Sequence, residues 1–333
     1  MIYRQTRLEM TASPLLRHAV TAFFVLLCGP AAFAQDFPSK PVRILVPYPA
    51  AGGPDIVARG LAIGMSKNLG QSVIVENKQG GGGVPAVIDL KNAPPDGHTL
   101  FFPDSSQWAV FPALRADLPY DPVRDFAPVI LMASAPFVVA THPSLPVKTF
   151  NDLVKLAKAR PGQLNYGAVT GNAAHLATEL LNSLAGIKMV HVPYKGAVLA
   201  TTDLIAGHIQ VSLSSTPGSI PFVQTGKLRA LAVTSAKRIT PLPDLPTVAE
   251  SGLKGYEAST WYAIVGPVGM PRPIVDRLYS EIEKIVNQPA TKEKMIANHF
   301  EPTLMGPDQF GAYMKAEIDK WAKVVRSSGT KIE

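Results

Sequence analysis

Cysteine is almost absent from this 333-residue chain: the only one, Cys28, lies within the first 34 residues. Those residues hold a basic start (Arg4, Arg7, Arg17) and an apolar run from Ala19 to Leu27 too short to span a bilayer. The small-x-small pattern Ala32-Phe33-Ala34 then precedes Gln35. Residues 1–34 therefore read as a cleavable secretory signal peptide. Leu27 excludes a lipoprotein pattern, which needs a small residue just before the cysteine. The mature chain expected from this is exported to the periplasm without a cysteine, so it relies on its core and not on disulfides.

Other absences narrow the function. No second apolar run is long enough to cross a membrane. There is no Gly-x-Ser-x-Gly nucleophile elbow, and the seven histidines include no His-Glu-x-x-His zinc pattern. The glycine-rich stretch at 80–83 lacks both the lysine-serine or lysine-threonine ending of a P-loop and the Gly-x-Gly-x-x-Gly spacing of a dinucleotide site. The expectation is no catalytic residues, no metal and no cofactor. An exported hydrolase would need a nucleophile, a base and an orienting acid, and no such constellation stands out. Charged residues are scarce at 17%, against 47% hydrophobic, which describes a globular core. The net charge of +7 becomes +5 without the leader, 29 basic against 24 acidic residues. These charges are scattered, and an exported protein is a poor partner for nucleic acid. A mild attraction for anionic solutes is the simpler reading. The length favours two lobes over one.

What is present is a strand, a loop and a helix, repeated. Ile44-Leu45-Val46 reads as a buried strand, Tyr48 to Gly53 as a loop of small residues, and Pro54-Asp55 as a helix start. Ile56, Val57, Gly60, Leu61 and Ile63 mark that helix's apolar face. Free N–H groups and the helix dipole make such a junction an anion site. Ser72 to Asn77 is a second strand, running into Gly80 to Gly83 and a helix at Ala86 to Leu90. His98 to Phe102 is a third, opening onto a polar loop, Asp104 to Trp108, that includes Ser105. Two glycine loops on neighbouring parallel strands would face each other at the carboxyl edge, where open α/β sheets bind ligands.

Further strands are expected at Val129–Met132 and Phe137–Ala140, and Thr149 caps a helix ending at Arg160-Pro161-Gly162. A second lobe would begin with the strand at Leu164–Ala168, the loop Val169 to His175 and a helix from Leu176. Thr170, Gly171, Asn172 and His175 lie in that loop; His175 is either a ligand donor or a first-turn residue bonded locally. The strand at Ile209–Leu213 leads to another small polar loop, Ser214-Ser215-Thr216-Pro217-Gly218. Strands at Leu228–Thr234 and Thr260–Pro267 follow, the latter returning to the first lobe, then helices at Pro273–Asn287, Ala290–His299 and Pro307–Ser327. Alternating strands and helices predict parallel sheets. Trp108, Phe111, Trp261 and Tyr262 are core residues or an aromatic wall for a ligand.

Several of these segments carry a family resemblance. Ala50-Ala51-Gly52-Gly53-Pro54-Asp55-Ile56-Val57-Ala58-Arg59, Val75-Glu76-Asn77-Lys78, Pro94-Pro95-Asp96-Gly97-His98-Thr99-Leu100 and His191-Val192-Pro193-Tyr194-Lys195-Gly196 occur in this order. Gly226 to Thr234 and Leu245-Pro246-Thr247-Val248-Ala249-Glu250-Ser251-Gly252 follow. With them the chain resembles Bug-type extracytoplasmic solute receptors of the tripartite tricarboxylate transporter system. The resemblance implies an α/β, type II periplasmic-binding-protein fold, two α/β lobes with a ligand cleft and hinge between them. The expected boundaries are 35–137 with 264–333 for lobe 1 and 138–263 for lobe 2. It implies a monomer that captures a small organic carboxylate, such as an aliphatic or aromatic dicarboxylate, for integral-membrane permease subunits. A sensor subunit feeding a membrane kinase is the alternative. The ligand residues implied are Tyr48, Ala50, Ala51, Gly52, Asp55, Gly82, Gly83 and Ser105 in the first lobe. Thr170, Gly171, His175, Ser214, Ser215 and Thr216 are their counterparts in the second. Relatives often have an Asp near Leu213-Ser214-Ser215 that pairs with a ligand amine; the hydroxyls here argue against an amino-acid ligand.

Overall fold

The computed structural model of the protein describes residues 37–330, so the leader expected at 1–34 lies outside the described residues. The expected opening unit forms as a strand, β1 (Val42–Val46), followed by a helix, α1 (Gly53–Leu69). Pro54 sits in the first turn of α1, and Gly70 ends it in the left-handed conformation with its N–H donating to Ser66 O at 3.2 Å. The face α1 buries is Asp55, Ala58, Leu61, Ala62 and Met65, whereas Ile56 and Ile63 are 38% and 73% exposed. The expected apolar face is therefore rotated. Gly64 explains part of this rotation: a Cβ there would stand 2.9 Å from Ile285, so a second helix packs closely against this side.

β2 (Val73–Asn77), α2 (Val84–Lys91) and β3 (Thr99–Phe101) complete the first run. β1 pairs in parallel with both β2 and β3, so the ends of all three strands share one edge. The two expected strands at 129–132 and 137–140 are one continuous strand, β4 (Phe126–Thr141), nearly all of it buried. Beyond it lie α3 (Phe150–Ala159), β5 (Asn165–Val169), α4 (Ala173–Ala185), β6 (Val190–Tyr194) and α5 (Ala197–Ile205). β7 (Val211–Ser215), α6 (Thr216–Gln224), β8 (Arg229–Val233) and β9 (Ser259–Pro267) follow, then α7 (Arg272–Val286), α8 (Pro289–Ala297), β10 (Glu301–Met305) and α9 (Pro307–Ser328).

The sheet is mixed, which corrects the expectation of parallel sheets. The strands run β2-β1-β3-β9-β4-β7-β5-β6, with β8 and β10 also on β4. β1, β2 and β3 are parallel to one another, as are β5, β6 and β7. β9 is antiparallel to β3 and β4, and β7, β8 and β10 are antiparallel to β4. Strand–helix alternation fixes parallel neighbours within each run, but it says nothing about strands that return across the molecule. β10 carries two polar residues and a proline in five positions, so it gave no apolar run to read.

β4 belongs to both halves. From Phe126 to Pro136 it pairs with β9, and from Phe137 to Thr141 it pairs with β7 and β8. At the change of partners, the fully buried Thr234 Oγ1 accepts the Phe137 N–H (2.7 Å) and donates to Ala258 O (2.6 Å). This hydroxyl joins the two crossing strands where the halves meet. The result is two α/β lobes of a type II periplasmic-binding-protein fold.

Candidate functional site

The carboxyl ends of β1, β2 and β3 build one half of the site. Asp55 organises the first loop from below. Its Oδ2 accepts from the Ala51 N–H (2.9 Å) and from Arg59 Nε (2.8 Å), and its Oδ1 accepts from Asn77 Nδ2 (2.7 Å). Only 1% of Asp55 is exposed. Burial pushes its carboxyl up, but the bonds from Arg59, Asn77 and the Ala51 amide outweigh this and hold it below the usual carboxylate range. Asn77, the last residue of β2, also donates to Tyr48 O (3.0 Å). Ala51 lies at φ 63°, left-handed backbone unusual for a residue with a side chain, and its N–H bond to Asp55 fixes it there. Gly52 has ordinary extended backbone, φ −73°.

The second loop is a run of four left-handed glycines, Gly80 to Gly83 at φ 102°, 55°, 67° and 88°, tightened into a turn over Gly81–Gly83. No other residue adopts such a run cheaply. A Cβ on Gly82 would come within 2.8 Å of the Phe111 ring, and one on Gly83 within 2.8 Å of Pro47 Cβ. The turn therefore lies directly against the first loop. Gln107 ties it to the third: its Nε2 donates to Gly82 O (3.2 Å) and its Oε1 accepts from the Asp104 N–H (3.0 Å).

That third segment is not the polar loop expected over 104–108. A wide helical turn, Ser106–Val110, starts there and passes into a short helix, Phe111–Leu114. Asp104 Oδ1 accepts the Ser106 N–H (2.6 Å), as an Asp at a helix start does. Burial raises the Asp104 carboxyl, and burial together with Asp104 raises the Tyr48 phenol beside it. Ser105 is fully buried and donates to Thr260 Oγ1 at 3.2 Å.

In the other half, Asn172 Oδ1 caps α4 by accepting the His175 N–H (2.9 Å). His175 Nδ1 accepts from the Gly171 N–H (3.0 Å), so the local bonding weighed for this residue is present, while Thr170 is exposed. The expected loop over 214–218 is instead the end of β7 running straight into α6 at Thr216. Ser214 Oγ lies 3.3 Å from both Thr201 Oγ1 and Ser212 Oγ. Thr216 Oγ1 donates to His299 O at 2.6 Å, and Ser106 Oγ accepts from the Ala173 N–H at 3.3 Å. Both bonds join segments of the first half to segments of the second.

Tyr48, Ala51, Gly52, Gly82 and Gly83 thus fall in two neighbouring loops, with Asp55 in the first turn of α1 beneath the first, Ser105 at the start of the adjoining helical turn, and Ala50 exposed on the first loop. Thr170, Gly171 and His175 sit at the β5–α4 junction, and Ser214, Ser215 and Thr216 at the β7–α6 junction. Asn77, Gln107 and Asp104 were not singled out, although they hold the loops together. Asn77 stood in the Val75-Glu76-Asn77-Lys78 segment and Gln107 in the polar stretch; what revealed neither was that each reaches into a different loop. Trp108, Trp261 and Tyr262 are buried among other rings, and Phe111 lies against the Gly82 turn. Trp108 packs on Phe101 and Phe126 (5.4 and 4.9 Å between ring centres), Trp261 on Phe310 (5.5 Å), and Tyr262 between Phe102 and Phe300 (5.7 and 5.5 Å). Among the described residues no helix is long and apolar enough to cross a membrane. None of their His, Cys, Asp and Glu side chains form a group of three able to hold a metal.

Comparison with known proteins supplies the family. The sequence pattern described as "Tripartite tricarboxylate transporter family receptor" matches residues 57–330. Protein BugT of Bordetella pertussis is 34% identical over 319 residues, 95% of this chain and 98% of that one. The solved structure of R. palustris Rpa4515 with adipate superposes with a TM-score of 0.82 at 34% identity, covering 89% of this chain and 99% of that chain. MatC (Rpa3494) from Rhodopseudomonas palustris with bound malate gives 0.76 at 28% identity, covering 87% and 100%. Matching nearly the whole described chain, these likenesses show that the protein belongs to the tripartite tricarboxylate transporter family receptors, a family of solute-binding proteins and not of enzymes.

Proposed function

We propose that the protein is a periplasmic receptor that captures a small organic dicarboxylate and delivers it to integral-membrane permease subunits, acting as a monomer. The observation that carries this reading is the three-loop edge at β1, β2 and β3, built from a left-handed glycine run and a helix N-terminus with no lysine or arginine in either loop segment, 47–53 or 80–83. Backbone N–H groups and a helix dipole suit a carboxylate, and such charge-assisted bonds strengthen where water is excluded. The similar proteins holding adipate and malate support the same class. One ligand carboxylate would sit between Ala50–Gly52 and Gly82–Gly83, and the far end would meet Thr170, Gly171, His175 and Ser215. Asp55 takes a supporting role, because each of its oxygens already accepts from the protein. Thr216 and Ser105 do likewise, their protons being given to His299 O and Thr260.

The proposed lobes, 35–137 with 264–333 and 138–263, are supported by the change of partners in β4 after Pro136. Ser259 to Ala263 already pair with the first half of β4, so we draw the return at Ser259. A ligand bridging both sets of loops favours closure only through contacts made in the closed state.

Thermal shift against C4 to C10 aliphatic and aromatic mono-, di- and tricarboxylates, adipate and malate included, tests the reading. At a hundredfold excess over Kd, binding stabilises by about 2.7 kcal/mol, an easily read rise. No response from protein refolded free of bound ligand would refute it.

A further inference from the structure

The second half of the site contains a stacked pair of imidazoles. His175 and His191 stack face to face, ring centres 4.0 Å apart and planes 21° apart, although they come from different elements, α4 and β6. His191 Nε2 lies 3.1 Å from Ala168 O. A carbonyl only accepts, so His191 carries its proton on Nε2. His175 Nδ1 accepts the Gly171 N–H, so a neutral His175 carries its proton on Nε2 as well. That Nε2–H has no partner among the described residues and is not one of the sealed-off polar atoms, although the residue is only 5% exposed. It is left as a donor with no protein acceptor, while Nδ1 holds the Thr170–Asn172 loop.

We infer that His191 is a positioning residue: its stacked ring holds His175 in the neutral state that accepts from Gly171 through Nδ1 and presents Nε2–H as the loop's donor. The physical reason is the shared stack. A proton on His175 Nδ1 would break the Gly171 bond and place a charge 4.0 Å from a second imidazole in a mostly buried setting. Burial first, then His191, push His175 down to about 4. The other titratable group packed on the pair is Tyr166 of β5, its ring 5.2 Å from His191 and 6.1 Å from His175; its own partner is Glu179 of α4. The Tyr166 hydroxyl donates to Glu179 Oε1 at 2.5 Å, so that carboxylate is already engaged. A neutral donor at this end suits a ligand carboxylate without adding a cation, which rests on the proposed carboxylate-receptor reading.

The test uses the full mature chain and separates the two claims. Nitrogen-15 NMR of the ligand-free protein should show His175 bare at Nδ1 and protonated at Nε2 from pH 8 down to pH 5. In His191→Ala the His175 midpoint should rise, and the Gly171 amide should exchange with solvent at least tenfold faster. His191→Phe, which restores the ring face without the Ala168 bond, should recover most of the Gly171 protection. Adipate, or the tightest carboxylate from the panel, should bind His191→Ala about tenfold more weakly than wild type at pH 8, where His175 is neutral in both proteins. Unchanged His175 titration and Gly171 exchange in His191→Ala would overturn the positioning role. So would equal carboxylate affinity in that variant and wild type at pH 8. If the ligand-free readouts move as expected while wild type binds no carboxylate, the receptor reading fails and the positioning of His175 stands.

Discussion

Removing the Asp55 carboxylate should unfasten the first ligand loop more than it unfolds the protein. Asp55→Ala deletes three accepted hydrogen bonds, from the Ala51 N–H, Asn77 Nδ2 and Arg59 Nε. Arg59 is 48% exposed, so its bond is screened and contributes at most about 1 kcal/mol. The other two are bonds to a buried charge, about 1.5–3 kcal/mol each, and their donors would be left unpaired. A loss of about 3–7 kcal/mol follows, a fall in Tm of roughly 6–14 °C at about 2 °C per kcal/mol for a chain of this size. Ala51 then has nothing to hold it at φ 63°, and its return to ordinary backbone moves the loop amides away from a ligand carboxylate. Adipate affinity, measured by calorimetry, should fall at least tenfold. Asp55→Asn should fall between the two, because its amide must face one donor. Adding Ala51→Gly to Asp55→Asn should recover part of the affinity, since glycine adopts the left-handed conformation at about 1 kcal/mol less. The pH dependence has a definite sign. The folded pKa of Asp55 lies below its unfolded value of about 3.9, so its stabilisation is fully present above that value and is lost as pH falls through the folded pKa. The gap between Asp55→Ala and wild type should therefore narrow below about pH 4. A variant that melts within 2 °C of wild type, a change of roughly 1 kcal/mol or less, and binds equally well would refute the assignment of Asp55 as the loop's anchor.

Other perturbations separate ligand contact from scaffold. Gly52→Leu should abolish carboxylate binding with little change in Tm: the backbone is ordinary there and a Cβ meets Pro49 O at 3.3 Å and Pro54 Cδ at 4.0 Å; unaltered affinity would remove that loop from the site. Gly83→Ala should lower both affinity and Tm, because its φ of 88° costs about 1–2 kcal/mol with a side chain. Its Cβ would also press on Pro47 at 2.8 Å. Thr216→Val removes the hydroxyl that bonds His299 O and should weaken binding about fivefold, the equivalent of roughly 1 kcal/mol, through the bridge between halves. Thr149→Ala is the control. It breaks the capping box with Asp152 at the start of α3 and should cost about 1 kcal/mol in urea melts while leaving affinity unchanged.

Local chemistry made much of the molecule legible before its structure. The short β-branched runs of β1 and β2 announced strands, and Thr149 announced its helix, because those signals depend on neighbours in sequence. Gly80 to Gly83 showed where the backbone would turn sharply. The pairing of β9 and β10 with β4 was not legible, since a strand's partner is chosen by the packing of distant segments. Asp55 illustrates the same limit within the site. Its position at a helix start marked it as an acceptor, but only the fold shows that Asn77 and Arg59 already fill it. Trp108 and Trp261 could be read either as core or as wall, and contacts with Phe101, Phe126 and Phe310 decide for core.

The shared strand β4 also sets an order of assembly. β4 to β8 form a nearly contiguous stretch of chain, residues 126–233, so the second half of the sheet can close from local segments. The first half cannot: β3 must wait for β9, joining Phe101 to Val265, and β10 must come back to Leu131 from Met305. Such distant closures are slow. A chain emerging amino end first would therefore carry a finished half beside a β1–β2–β3 edge that is still open to other strands. Until β9 arrives, β3 lacks its second neighbour, and the chain is at its most vulnerable to misassembly.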